Sequence, residues 1–167
     1  MTSSRDRILG RPAPTAVYKL RVADTAAAAQ ALTDAQSELG ILLVSGEGDE
    51  ATLERARDRL ASARADLEAC FEPIVCTAMA PADFEGLVAK HPPREDHPED
   101  ETWNMSTFPH ELFAKCAPDY LTPEEWAEWL KTRVNEGEQV GLVNTAIKAN
   151  TRSMDESIPK DWTSMLS

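Results

Sequence analysis

Pro81-Ala82-Asp83-Phe84-Glu85-Gly86-Leu87-Val88-Ala89-Lys90-His91-Pro92-Pro93 is a helix and its stop written in one line. Phe84, Leu87, Val88 and His91 lie three or four residues apart, so they share one helical face. Pro81 suits the first turn, where no backbone donor is missed. Pro92 and Pro93 end the helix, because neither nitrogen donates and the second ring drives the first residue out of the helical basin. Arg94 to Thr102 follows, with Glu95, Asp96, Glu99, Asp100 and Glu101 close together, and reads as a solvated loop. Order returns at Trp103 and at Thr107-Phe108-Pro109, where a capping hydroxyl and a proline open a helix carrying Leu112, Phe113 and Cys116.

Downstream, Thr122-Pro123-Glu124-Glu125 is a capping box with proline in the first turn. Trp126, Trp129, Leu130 and Val134 form the apolar face of that helix, which ends before Gly137. A last helix over 138–150 places Val140, Val143, Ala146, Ile147 and Asn150 near one side. Four helical segments, 81–91, 108–117, 122–135 and 138–150, therefore make a bundle over residues 81–150. The tail, 151–167, starts polar and ends with Ile158, Trp162, Met165 and Leu166 at the spacing of a short amphipathic segment. It docks either on its own bundle or in a partner's groove.

Upstream, Val17 to Val22 alternates as a half-buried strand does, with Tyr18, Leu20 and Val22 on one side and Val17, Lys19 and Arg21 on the other. Its partner is the β-branched run Ile74 to Met79, bounded by Pro73 and Pro81. Between them, Ala28, Leu32, Ala35, Leu39 and Leu42, then Leu53, Ala56, Leu60, Ala63, Leu67 and Cys70, keep a seven-residue rhythm. Gly46 and Gly48 break the two helices apart and Asp49 caps the second. An antiparallel helical hairpin results, its outer face either wet or an oligomerisation surface. Residues 1–14, with Arg5, Arg7 and Arg11 and no periodicity, read as a flexible basic arm. The expected fold is mainly α (α+β): a helical bundle preceded by a two-stranded β element, 15–80, that encloses a helical hairpin.

Composition narrows the chemistry. With 29 acidic against 17 basic residues, the net charge of −12 opposes phosphate backbones, so nucleic acid is not an expected partner. No apolar run is long enough to span a membrane, and no hydrophobic stretch follows the basic N-terminus as in a signal peptide. Cys70, Cys76 and Cys116 each sit among apolar residues and read as small hydrophobes in a reducing compartment. His91, His97 and His110 share no helical face at ligand spacing, so no metal site is expected. The glycines are scattered and form no phosphate-cradling loop, and the serines gather at the termini where no triad could be held. No cofactor is expected, and the chain does not read as an enzyme.

The order Phe84-Glu85-x-Leu87-x-x-x-His91-Pro92-Pro93, then Thr107-Phe108-Pro109-x-x-Leu112-x-x-x-Cys116, then Leu121-Thr122-x-Glu124, resembles the tail assembly chaperone family of long-tailed actinobacterial phages and prophages. The resemblance runs from Phe84 to about Asn150. It implies a protein of the bacterial host cytoplasm, absent from the mature virion, that binds the tape-measure protein, keeps it soluble and helps recruit tail-tube subunits. Such proteins are often made in two lengths by a programmed frameshift. The apolar side chains that would meet a client are Trp126, Trp129 and Phe113 on the bundle and Ile158, Trp162 and Leu166 in the tail. A homo-oligomer is a further expectation. The alternative is a structural minor tail or connector protein that stays in the virion, which mass spectrometry of purified particles separates from a chaperone.

Overall fold

Seven helices and two strands account for the ordered elements of residues 3–46 and 48–151, which the computed structural model describes. In chain order they are α1 (Ser4–Leu9), β1 (Thr15–Arg21), α2 (Ala26–Ser45), α3 (Glu50–Glu68), β2 (Phe71–Thr77), α4 (Pro81–Lys90), α5 (Phe108–Cys116), α6 (Pro123–Thr132) and α7 (Glu136–Thr151). The fold is mainly helical with one small antiparallel two-stranded sheet. None of the described helices is long and apolar enough to cross a membrane.

The described residues divide into two compact units: those within 19–73 form one, and those of 3–18 with 74–151 form the other. The boundary falls inside both strands, whereas the sequence reading places both strands wholly with the hairpin. Tyr18 and the second half of β2 belong with the helices instead. Pro73 also lies within β2 and does not bound it. In a two-stranded sheet each strand is an edge, so a residue without an N–H is tolerated on the unpaired side.

The hairpin unit follows its heptad. Ala35, Ala56 and Ala63 are buried, and Leu32, Leu39, Leu42, Leu53, Leu60 and Leu67 are half-buried around them. Small residues at the seam let the helices approach, and the leucines flank it. Gly46 ends α2 at φ 67°, a left-handed conformation that favours glycine. Asp49 caps α3 by accepting from the Thr52 amide at 2.8 Å. At the base, Cys70 O accepts from Val22 N at 2.9 Å and from Ala23 N at 3.3 Å, closing the hairpin where the strands begin.

In the second unit α5 is the centre. Phe108, Pro109, Leu112, Phe113, Ala114 and Cys116 are all buried, so this helix is covered nearly all round, chiefly by α7 and α6. Three details depart from the sequence reading. Residues 4–9 form a helix where a flexible arm was expected, because Ser3 and Asp6 bond each other's backbone in a reciprocal cap. α6 ends before Gly137 as expected but already at Thr132, and Gly137 sits inside the first turn of α7, which begins at Glu136. The Asn135 side chain accepts from Glu138 N at 2.9 Å while Glu138 accepts from Asn135 N, which starts the helix earlier. Val140 is exposed, and the inward face of α7 is Leu142, Val143, Thr145, Ala146 and Ala149.

Gly141 of α7 lies against β1. A Cβ at Gly141 would collide with Cε2 of Tyr18, so the phenol ring lies directly on the helix backbone. Alanine normally stabilises a helix interior over glycine by about 1 kcal/mol. Here overpacking of about 1–3 kcal/mol opposes it. Gly141→Ala is therefore expected to lower the urea unfolding midpoint. Shortening the ring as well, in Tyr18→Ala/Gly141→Ala, is expected to cost less than the sum of the two single changes. A Gly141→Ala variant more stable than the parent would contradict this packing.

Candidate functional site

The segment expected to be a solvated acidic loop is organised from within. Asp100 has a side chain with no exposed surface. Its carboxylate accepts from Arg94 Nε at 2.7 Å, Arg94 Nη2 at 3.0 Å, Arg94 N at 3.1 Å and Met105 N at 2.9 Å. A buried carboxylate needs such company, because an unpaired one would be neutralised or expelled. The remaining acids of the loop, Glu95, Asp96, Glu99 and Glu101, are exposed as read from the sequence.

His91 ties the loop to α5. Its Nδ1 lies 2.8 Å from Thr107 Oγ1 and its Nε2 2.8 Å from Glu111 Oε2, while its carbonyl accepts from Asn104 N at 2.9 Å. Thr107 thus gives its hydroxyl to the histidine and makes no side-chain cap, contrary to the sequence expectation. Above this tie the rings pack together. Trp103 stacks on Phe108 with centroids 4.4 Å apart, and Phe84 meets both edge-on at 6.4 and 5.8 Å.

The order hydroxyl, imidazole, carboxylate is also that of an acyl-transfer triad, and an open groove of about 440 Å³ runs beside it, bordered by His91, His110, Glu111, Lys115, Glu124 and Lys131. At the start of α5 the Phe108 amide is spent on Asn104 O, the Glu111 amide on Thr107 O, and Pro109 has none. His110, whose Nδ1 is buried with no hydrogen-bond partner among the described residues, and the Lys115 and Lys131 side chains border the same groove. The row Thr107–His91–Glu111 acts as a fastening between loop and helix. Among the described residues, no group of three or more His, Cys, Asp and Glu side chains converges on a point.

A second feature lies on α6. Trp126 is buried and donates from Nε1 to Pro118 O at 2.8 Å. Phe113 packs edge-on against it at 5.6 Å. Trp129 meets Trp126 edge-on at 5.4 Å and is half-buried, and Tyr120, with 57% of its surface exposed, lies 5.5 Å from the same ring. The sequence reading placed Phe113 and Trp126 among the client-contacting residues; both are interior and present no surface. Their burial follows from the small polar share of their surfaces and, for Trp126, from a backbone partner for its one N–H. Trp129 keeps a surface position. Ile158, Trp162 and Leu166 lie outside the described residues.

Tyr120 was missed because it stands two residues before the capping threonine, outside any helical pattern. Arg94 and Asp100 were missed because no periodicity links two residues of one loop.

The three cysteines are free and buried. Burial pushes the Cys76 thiol up to about 12, with Cys116 nearby adding to the rise. Burial also raises Cys116, against the opposing effect of the Asn150 amide that donates to its sulfur at 3.3 Å. Inert, core-filling thiols are the consequence.

No protein-family model, no curated protein and no solved structure matches this chain.

Two outcomes follow from the geometry. The Arg94 guanidinium, through its hydrogen bonds, holds the Asp100 carboxyl well below the usual carboxylate range. The unfolded chain therefore takes up this proton first, near pH 4, so the pair's contribution to stability is complete above that pH and declines as pH falls further. Asp100→Asn is expected to be less stable than the parent at neutral pH and to narrow that gap in urea titrations carried below pH 4. A gap independent of pH would contradict the charged tie. Separately, iodoacetamide at a pH of about 8 is expected to leave Cys76 and Cys116 unmodified in the native protein and to label both in urea. Rapid native labelling of either would show the core to be open.

Proposed function

We propose that this chain is a tail assembly chaperone of a long-tailed actinobacterial phage or prophage, which binds the tape-measure protein and helps recruit tail-tube subunits during tail morphogenesis. The reading places it in the host cytoplasm and outside the mature virion, acting by contact and not by bond-breaking chemistry.

The observation that carries it is the aromatic cluster at α6. Half-buried Trp129 and exposed Tyr120 both pack on a buried, hydrogen-bonded Trp126. Aromatic side chains held in place from below are the residue types that interfaces favour, because they contribute area with little loss of side-chain freedom. Glu124, Glu125 and Glu128 on the same helix are exposed. Apolar rings rimmed by acids suit an amphipathic client helix with basic flanks, and the charge keeps the chaperone itself in solution. The resemblance adds support from the other side of the unit. Of its residues, Phe84, His91 and Phe108 pack together between α4 and α5, and Leu87, Leu112 and Cys116 are buried, so the shared pattern describes a scaffold and leaves the contact surface to neighbouring residues.

Co-expression of the chain with the tape-measure protein encoded beside it is expected to raise the soluble yield of that protein several-fold. Trp129→Ala is expected to remove most of this gain while the circular dichroism and thermal midpoint of the chain stay near the parent values. A parent chain without effect on yield would overturn the function. A Trp129→Ala chain as effective as the parent would overturn the assigned face.

A further inference from the structure

The described chain leaves α7 at a fixed point. Asn150, in the last turn, accepts from Met79 N at 2.9 Å, and its amide donates to Cys116 Sγ at 3.3 Å and to Ala146 O at 2.8 Å. Met79 also opens a groove of about 430 Å³ beside α4. Ala82, Gly86 and Leu87 supply its apolar lining, and Asp83, Lys90 and Lys115 supply its charges. Asp83, Gly86, Leu87 and Lys90 follow helical spacing, so α4 presents one stripe with an acid at its start, a bare glycine in the middle and a lysine at its end. A Cβ at Gly86 would meet nothing within 4 Å, so no contact among the described residues requires glycine inside this helix, where it is ordinarily disfavoured. Lys90 has no ion partner among the described residues, and Lys115 approaches Glu111 only to 3.9 Å.

We propose that this groove is the seat of the chain's own tail, residues 152–167, with the Trp162 ring over Gly86. Reach permits it. The tail follows the helix turn that is bonded to Met79, and residues 151 to 162 span up to about 36 Å extended or about 16 Å as helix, whereas Asp83 to Lys90 rise about 10 Å along α4. The order of charges agrees. Arg152 comes first in the tail and the acids Asp155, Glu156 and Asp161 follow, with Lys160 the one further base; α4 offers Asp83 first and Lys90 last, and α5 adds Lys115. Ile158, Trp162 and Leu166 recur at intervals of four, a stripe that needs an apolar seat. A second copy would bring its net charge of −12 against an equal charge. A foreign segment would compete with a tail tethered at the site, whose effective concentration is on the order of millimolar. The inference is independent of the chaperone reading, whose face is on α6, and it assigns Ile158, Trp162 and Leu166 to the chain's own body.

Fluorine NMR of the full chain labelled with 5-fluorotryptophan tests the seat, with the Trp162 signal assigned from its loss in Trp162→Phe. The parent is expected to show a Trp162 resonance displaced from its position in urea and shielded from a soluble paramagnetic agent at every protein concentration. Gly86→Leu, at an exposed position, fills the seat and is expected to lower the docked-to-undocked ratio about tenfold or more. Lys90→Glu is expected to lower it about threefold, and adding Asp161→Lys to restore most of the loss. A Trp162 signal at its urea position and fully accessible to the agent overturns the proposal. So does a shielded signal that neither Gly86→Leu nor Lys90→Glu moves while the Trp126 signal holds its parent position, because the tail is then seated elsewhere. Shielding that grows with protein concentration overturns it too, since the occupant is then the tail of another copy.

Discussion

Asp100 sits out of water with four N–H groups directed at it, three from Arg94 and one from Met105. Residues before and after the acid are thereby drawn to one point, and the chain between α4 and α5 becomes a closed loop with a fixed path. The path matters because α4 meets α5 directly at few places, while α5 packs extensively on α7 and α6. Much of what joins α4 to the helical body is the loop itself. It carries Trp103 onto Phe108 and Phe84, and it brings Asn104 N to the carbonyl of His91. A buried ion pair adds little net stability compared with apolar residues of the same volume, since desolvation offsets the attraction. Its contribution here is geometrical: one arrangement of the loop satisfies the carboxylate, and others leave it buried and unpaired.

The same division between fastening and filling recurs through the unit. His91 fastens loop to helix through Thr107 and Glu111, and Asn150 fastens the end of α7 to the link between β2 and α4 by accepting from Met79 N at 2.9 Å. Apolar side chains of α5, Cys76 and Cys116 fill the space between. Polar groups so arranged look like chemistry when met singly. Seen with their partners, Thr107, His91, Glu111 and Asn150 are engaged in the fold, whereas the buried Nδ1 of His110 beside them has no partner among the described residues, and apolar surface is exposed at Tyr120 on one unit and at Ile41 and Val44 on the other.

Periodicity made most of this legible. The heptad in α2 and α3, the proline stops at Pro92 and Pro93, and the capping box at Thr122 are local signals with local causes, and the elements lie where those signals place them. Three things could not be read that way. Asp100 and Arg94 find each other through a loop, where no repeat announces a pair. Thr107 resembles a cap in sequence, yet His91, sixteen residues earlier, takes its hydroxyl. Gly141 of α7 meets the Tyr18 ring, a contact that only tertiary packing sets. The candidate site divides likewise. Trp126 and Trp129 were identifiable as a pair from their spacing, but which of them is buried depended on Pro118 and Phe113, and their neighbour Tyr120 lay outside any pattern.

The central claim is that the acidic segment is an ordered joint closed by its own buried carboxylate. Amide hydrogen exchange resolved to single residues at neutral pH tests it most directly, read at Arg94 and Met105, whose N–H groups donate to Asp100. Protection at both, comparable with that of the α5 amides and far above that of a solvated chain, is the predicted result. Exchange at coil rates at these two positions, with α5 itself protected, would contradict it.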